Sequence, residues 1–176
     1  ILDGTDAVML SAETAAGAFP RLAVEAMRRI ICEVECHPLP WRARDQERGE
    51  AGATVATEEA IAAATIAANR MLGTPLVIVL TKGGFSARVV SSHRPRVPIL
   101  ALTDMPQTYR QLALVWGIVP HLVAHCTTYD EMVALARQAA VDLGLARPGD
   151  RVLVTAGVPF DVPGTTNLLK VEVRAG

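Results

Sequence analysis

The sequence predicts an α/β fold: a three-layer αβα domain with a mostly parallel five-stranded sheet whose last strand is antiparallel. From residue 54 onward, apolar runs of strand length alternate with helical patterns, an order typical of parallel sheets with right-handed crossovers. The run at residues 76–80 is continuously apolar, as expected of a strand buried on both faces. About eleven residues without a helical pattern join the last two predicted strands, so we expect the fifth strand to run antiparallel.

The first third of the chain is predicted to hold one strand end and one helix. Residues 7–10 are apolar and resemble the end of a strand. Apolar residues recur at helical spacing over 20–35, and Pro20 suits the first turn of such a helix. Residues 37–53 are rich in proline, glycine and charge, which predicts a linker. The predicted organisation is residues 1–36, a linker at 37–53 and a domain at 54–176.

The domain at 54–176 is predicted to contain four helices and five strands. Thr57 is a candidate cap for the first helix, and Thr128 with Glu131 forms a capping box at the start of the last one. The predicted helices are 57–72, 84–93, 104–116 and 128–143, and the predicted strands are 76–80, 98–102, 118–123, 151–155 and 168–173.

Composition excludes several classes of partner. The chain has 176 residues, and its net charge of −1 gives no electrostatic reason to expect nucleic acid or an anionic membrane. Its apolar runs are far shorter than the roughly 20 residues that span a bilayer. Three cysteines cannot all pair within one chain, which favours a reducing, cytoplasmic location. Because the chain begins at Ile1 without a basic leader, we expect it to be a piece of a longer protein.

The strongest candidate for a binding site is the loop directly after the first strand of the domain. It reads Thr81, Lys82, Gly83, Gly84, Phe85, Ser86 and opens a helix. Glycines let the backbone approach a ligand, and a helix N-terminus favours an anion. Hydroxyl groups and a lysine, which is a rare residue in this chain, add donors and positive charge. The pattern favours a phosphate group, although a helix cap without any ligand has the same pattern.

A second segment, residues 157–167, links the fourth and fifth predicted strands and is rich in glycine, proline and hydroxyl groups. We expect it to fold over the same edge of the sheet, with Gly157, Gly164 and Thr165 near the ligand. The alternative is a long connection without a function, although long loops in compact domains are often functional.

Weaker candidates are also present. Cys32, Cys36 and His37 have a metal-like spacing, but a fourth ligand is missing and free cysteine commonly packs as an apolar residue. His125 and Cys126 are adjacent in sequence, and adjacent side chains rarely face each other. The acidic group around the first strand suits either a fragment of a metal or catalytic site or a set of turn caps; it comprises Asp3, Asp6 and Glu13.

Three segments resemble one enzyme family, the pyruvate kinases. The N-terminal segment ILDGTDAVMLSAETAAGAFP is similar to the family's DGTDAVMLSGETAxGxYP, with Ala12 and Phe19 as mild departures. Residues 81–103, TKGGFSARVVSSHRPRVPILALT, and residues 156–171, AGVPFDVPGTTNLLKV, are similar to two later family motifs. The resemblance covers nearly the whole chain apart from the linker.

The resemblance implies that residues 1–36 are the last strand and helix of a catalytic TIM barrel, and that the rest is the C-terminal regulatory domain. It implies phosphoryl transfer from phosphoenolpyruvate to ADP, with Mg²⁺ (or Mn²⁺) and K⁺ as cofactors of the parent enzyme. The family's metal ligands, catalytic lysine and substrate arginine come from earlier barrel strands. We therefore expect no cofactor, metal site or catalytic residue in this chain, with Ser11 and Glu13 supporting the active site.

The resemblance also implies an allosteric role. The family binds sugar-phosphate or nucleotide effectors at the loop that matches residues 81–86, and this domain forms one of its subunit contacts. The stretch 127–132 lacks the arginine that is common in enzymes activated by fructose 1,6-bisphosphate. This difference argues against that effector and leaves AMP or a sugar monophosphate as the candidate effectors. The alternatives are a free-standing phosphometabolite-binding module and a purely oligomerising domain.

Overall fold

A computed structural model describes residues 1–37, 54–158 and 166–173. The chain forms two compact units, Ile1–Ala53 and Thr54–Gly176. Apart from His37, the predicted linker lies outside the described residues.

The described part of the first unit is helical. It contains helices α1 (Ala12–Ala15) and α2 (Pro20–Cys36), and Pro20 occupies the first turn of α2, as predicted. The predicted strand over residues 7–10 is not formed. A strand exists only when its backbone groups pair with a neighbour, and the described residues of this unit include no other strand.

The second unit alternates helices and strands in the predicted order. Its helices are α3 (Thr57–Leu72), α4 (Phe85–Ser92), α5 (Pro106–Leu112) and α6 (Tyr129–Asp142). Its strands are β1 (Val77–Leu80), β2 (Ile99–Thr103), β3 (Ile118–Leu122), β4 (Arg151–Ala156) and β5 (Leu168–Val173).

The five strands form one sheet in the order β3-β2-β1-β4-β5. Strands β1 to β4 are parallel, and β5 pairs antiparallel with β4. In the register, Val77 lies between Ile99 of β2 and Leu153 of β4. The mixed sheet confirms the predicted fold class, including the reversed direction of the last strand.

Each face of the sheet has its own apolar core, because alternate strand residues point to opposite faces. Ile78 and Leu80 lie in the core on the face covered by α6, and that helix adds Val133 and Ala136 to the same core. Val77 and its alternate neighbours pack on the face covered by α3, α4 and α5. All four residues of β1 are buried, as the continuous apolar run predicts. Helices on both sides of a central sheet confirm the three-layer arrangement.

Two local predictions differ from the structure. Helix α5 ends at Leu112 rather than near residue 116, because turns follow it. In these turns the Val115 amide donates a hydrogen bond to the Leu112 carbonyl at 3.0 Å. Thr57 is the first helical residue of α3, and Ala56 stands at the cap position without a side-chain bond. The capping interaction of Thr128 is confirmed, since its hydroxyl accepts from the Glu131 amide at 3.3 Å.

Candidate anion site at the carboxyl edge of the sheet

The strand order places a topological switch point between β1 and β4. From β1 the chain proceeds to β2 and β3 on one side, and it then returns to β4 on the other side of β1. Ligands of open α/β sheets bind outside the carboxyl ends of strands at such a point. The segments that follow β1 and β4 are the two that the sequence analysis selected, and the sheet topology brings them to one edge.

Hydrogen bonds hold the loop after β1 in a fixed shape. The Gly84 amide donates to the Thr81 hydroxyl at 3.0 Å, so this amide is already used inside the loop. The Lys82 carbonyl accepts from the hydroxyl of Thr103, at the end of β2, at 3.2 Å. The loop is therefore fixed both internally and to the neighbouring strand.

The two glycines of the loop have different surroundings. Gly84 has a φ of 82°, and a Cβ there would lie 3.2 Å from side-chain atoms of both Thr108 and Leu112 of α5. A Cβ on Gly83 would meet nothing within 4 Å. Gly84 is therefore required by the turn and by the packing of α5, whereas Gly83 leaves the backbone open to approach from outside.

Helix α4 begins directly after Gly84, and the amides of its first turn have no partner within the helix. Phe85, its first residue, is 56% exposed. The Ser86 hydroxyl forms a short hydrogen bond with the hydroxyl of Thr166, which is buried. This contact joins the loop after β1 to the residues that precede β5.

The two ends of the segment between β4 and β5 are tied together. The Asn167 side chain accepts from the Val158 amide at 2.8 Å and donates to the Val158 carbonyl at 2.6 Å. Gly157 is half-buried at the start of the segment. The predicted site residues Gly164 and Thr165 lie outside the described residues.

Among the predicted site residues, the structure therefore places the loop 81–86 and Gly157 at the same edge of the sheet, and Lys82 is half-buried there. Sequence reasoning missed Thr103, and it included Thr166 and Asn167 in the segment 157–167 without giving a role to either of them. The polar run at 165–167 was a usable signal for the last two, but the partner of each side chain depends on the fold.

Sequence reasoning also missed a polar pair at the ends of β2 and β3. Asp104 Oδ2 lies 2.7 Å from His125 Nδ1. The neighbouring Cys126 is buried, and its thiol donates to the Ala124 carbonyl at 3.4 Å. Burial raises the pKa of the Cys126 thiol, and the charges of Glu131 and Asp104 raise it further. His125 therefore pairs with Asp104, and Cys126 is a neutral thiol at physiological pH.

In the first unit, Ser11 and Glu13 lie close together. The Ser11 amide donates to Glu13 Oε2 at 2.9 Å, next to the short helix α1. His37 pairs with Glu33 at 3.2 Å, while Cys32 and Cys36 are exposed free thiols. Within residues 1–37, 54–158 and 166–173, no three His, Cys, Asp or Glu side chains gather as a metal site would require.

The described helices include none that is long and apolar enough to cross a membrane.

The sheet order, the helices on both faces and the polar loops at the switch point define an α/β domain of the doubly wound type.

The comparison with protein families identifies which doubly wound domain this is. Residues 59–172 match the family model described as "Pyruvate kinase, alpha/beta domain". The chain belongs to this family.

Curated relatives extend the similarity to the first unit. A pyruvate kinase of Agrobacterium vitis is 44% identical over 171 residues, which cover 97% of this chain and 36% of that protein. A pyruvate kinase of Geobacillus stearothermophilus is 41% identical over 173 residues, covering 98% of this chain and 29% of the relative. The chain thus spans about a third of the length of the curated relatives that it matches.

A solved structure supports the same assignment. The crystal structure of a pyruvate kinase from Cryptosporidium parvum superposes with a TM-score of 0.84 at 30% sequence identity. The superposition covers 99% of this chain and 34% of that protein.

Proposed function

We propose that the second unit, Thr54–Gly176, is the regulatory and self-associating domain of a pyruvate kinase and that it binds a phosphate monoester at the loop 81–86. The parent protein then transfers a phosphoryl group from phosphoenolpyruvate to ADP in the cytoplasm. The odd number of cysteines, with exposed free thiols at Cys32 and Cys36, supports a reducing compartment.

One observation carries the proposal for the binding site: Ser86 and Thr166 meet at the switch point between β1 and β4. This contact brings both polar segments to the N-terminus of α4, where the helix dipole favours an anion. Amides of the first turn, the Thr81 hydroxyl and the Lys82 ammonium group supply donors of the kind that phosphate oxygens accept.

The parent enzyme's Mg²⁺ (or Mn²⁺) and K⁺ receive no ligand from this chain in our proposal. The resemblance to pyruvate kinases implies that the ligands of these ions come from earlier strands of the catalytic barrel. Ser11 and Glu13 support the active site through local structure, since the Glu13 carboxylate orders the Ser11 backbone.

The test of the binding site is the Lys82→Ala variant. Charge-assisted contacts to a phosphate are worth about 1.5–3 kcal/mol each, so the variant should bind a phosphate monoester roughly tenfold more weakly, or worse. Calorimetric titration with AMP, ribose 5-phosphate, glucose 6-phosphate and fructose 1,6-bisphosphate identifies the ligand and measures the loss.

The matched control is Arg147→Ala, which removes an exposed cation from the segment before β4, at the amino edge of the sheet and therefore opposite to the loop. It should leave binding unchanged. Unaltered affinity in Lys82→Ala would contradict the site, and the absence of binding by the unaltered chain below millimolar concentration would favour a purely oligomerising domain.

Self-association is proposed on the exposed edge of the sheet. Strand β5 is the last strand in the sheet order, and its residues Val171 and Val173 are 44% and 55% exposed. Exposed apolar edge strands tend to pair with another chain. Helix α3 adds exposed small residues that permit close approach of a second helix, namely Ala60, Ala63, Ala64 and Ala67.

Light scattering at high micromolar concentration should therefore show at least a dimer. Val171→Lys should shift the chain toward monomer, because a charge on an edge strand opposes pairing. Leu135→Lys, a change at a residue of α6 that is 40% exposed, is the control and should leave the assembly intact. A monomer in the unaltered chain would refute the proposal.

A further inference from the structure

We propose that the second unit has a binding site for a single water molecule, held between Arg137 of α6 and Asp150 in the turn before β4. The site lies at the amino edge of the sheet, opposite to the loop 81–86, so this inference is independent of the proposed function. The bound water completes the anchor by which α6 holds the edge strand β5.

A small cavity between α6 and the sheet provides the space. Its volume is about 20 Å³, and its apolar walls include Ile78 of β1, Val152 of β4 and Ala140 of α6. Arg137 and Asp150 line the same cavity and supply polar groups. A cavity needs roughly 10–15 Å³ to hold one water molecule. The space therefore suits one water molecule and excludes a metabolite.

Arg137 supplies a donor that needs a partner in this space. Its Nη2 group donates to the Glu172 carboxylate in a short contact and to the Val173 carbonyl at 3.3 Å. Its Nε atom, by contrast, is buried and has no hydrogen-bond partner among the residues that the structure describes. Buried N–H groups in folded proteins nearly always have a partner, which is often an ordered water molecule.

Asp150 supplies a fixed acceptor at the same cavity. Its Oδ2 atom accepts from the Arg147 amide at 2.7 Å, and its own amide donates to the Arg147 carbonyl at 3.1 Å. These two bonds close the turn before β4 and hold the half-buried side chain in place. A carboxylate can accept several hydrogen bonds, so it retains capacity for another donor.

The chemistry of the two groups identifies the ligand as water. The ligand has to accept from the Nε–H group of Arg137 and donate to the carboxylate of Asp150. A cation would face the positive charge of Arg137, and an anion would face the negative charge of Asp150. A neutral molecule with a single heavy atom that both donates and accepts hydrogen bonds meets all of these conditions.

The bound water links two parts of the sheet through α6. The guanidinium group of Arg137 holds β5 through Glu172 and Val173, while the water fixes the same group to the turn that begins β4. With Nε bonded, the planar guanidinium group has less freedom to turn away from Glu172. The site thus supports the strand at the exposed edge of the sheet.

The test is a high-resolution crystal structure of the 176-residue chain together with NMR spectroscopy in solution. The crystal structure should show one ordered water within hydrogen-bonding distance of Arg137 Nε and the Asp150 carboxylate. In solution, the Nε proton of Arg137 should show a nuclear Overhauser effect to water. A dry cavity, or an Nε atom that bonds a protein atom instead, would overturn the proposal.

Variants test each side of the site. Asp150→Ala removes the acceptor and should abolish the Overhauser effect at Arg137, whereas Asp150→Asn keeps an acceptor oxygen and should retain it. Ala140→Ser places a hydroxyl group in the cavity in place of the water, so the effect should again disappear. Persistence of the effect in both Asp150→Ala and Ala140→Ser would refute the assignment.

The matched control is Ala139→Ser, the same change at a neighbouring buried alanine of α6 that is not part of the cavity wall. It should keep the Overhauser effect at Arg137 and lower the urea midpoint more than Ala140→Ser does, because its hydroxyl group has no cavity to enter. An equal loss of the effect in both serine variants would contradict the site. If Asp150→Ala does not fold, Ala140→Ser and Asp150→Asn retain the test.

Discussion

Gly84 shows how a single residue serves the fold and the candidate site together. Its φ of 82° turns the chain from β1 into α4, and its missing side chain admits Thr108 and Leu112 of α5. Its amide completes the loop by donating to the Thr81 hydroxyl. Gly83, next to it, is open on the outside. The glycine pair therefore combines a structural residue with one that leaves room for a ligand.

A substitution at each glycine separates the two roles. Gly84→Ala should lower the free energy of unfolding by about 1–3 kcal/mol, because the left-handed conformation is strained for alanine and the new Cβ crowds α5. Gly83→Ala, the matched control, should change it by less than about 0.5 kcal/mol. Urea unfolding of both variants measures the difference, and equal destabilisation would contradict this assignment.

The candidate site was predictable from sequence only where its signal is local. Glycines, a lysine and hydroxyl groups after a buried strand identify the loop 81–86 without any structure. The contact between Ser86 and Thr166 joins residues eighty positions apart, and the pair of Asp104 with His125 spans two strand ends. Such partners depend on strand order, which local patterns do not contain.

At the scale of elements, periodicity and turn residues predicted the helices and strands of the second unit well. The exceptions have local causes. Helix α5 stops at Leu112, where turns take over, although the apolar spacing continues beyond it. The apolar segment at 7–10 has strand-like residues, but pairing is a property of two strands and cannot be read from one.

Strand β5 is held to α6 by a cluster of charges centred on Glu172, which is 8% exposed. Its carboxylate forms a short contact with Arg137 of α6 and lies 2.7 Å from the ammonium group of Lys170. Arg137 also donates to the Val173 carbonyl at 3.3 Å. The cluster fixes the strand that begins two residues after Thr166 and thereby supports the candidate site.

Removing the carboxylate should be costly, because it leaves the partly buried Arg137 without its counter-charge. Glu172→Ala should lower the free energy of unfolding by about 2 kcal/mol or more. Lys170→Met should cost clearly less, since the Lys170 side chain is half exposed and its ion pair is screened by solvent. Urea unfolding of both variants is the measurement, and a smaller effect for Glu172→Ala than for Lys170→Met would contradict this account.

At the scale of the whole molecule, the two units differ in how much of their apolar surface is buried. The second unit has buried cores on both faces of its sheet, whereas the helix α2 of the first unit has no fully buried residue. The first unit also holds Ser11 and Glu13, which the resemblance associates with the active site. The similarity to pyruvate kinases covers both units, yet the chain spans only about a third of those proteins.

The 176-residue chain should therefore produce no ATP from phosphoenolpyruvate and ADP, even with Mg²⁺ and K⁺ supplied. Phosphoryl transfer depends on metal ions and charged groups placed around the phosphate, and the resemblance implies that the residues supplying them come from earlier strands of the catalytic barrel. The measurement is a coupled assay of pyruvate and ATP formation over a range of chain concentrations. Addition of a complete pyruvate kinase to the same mixture controls for inhibitors, and turnover that grows in proportion to the chain alone would show that its own residues catalyse the reaction.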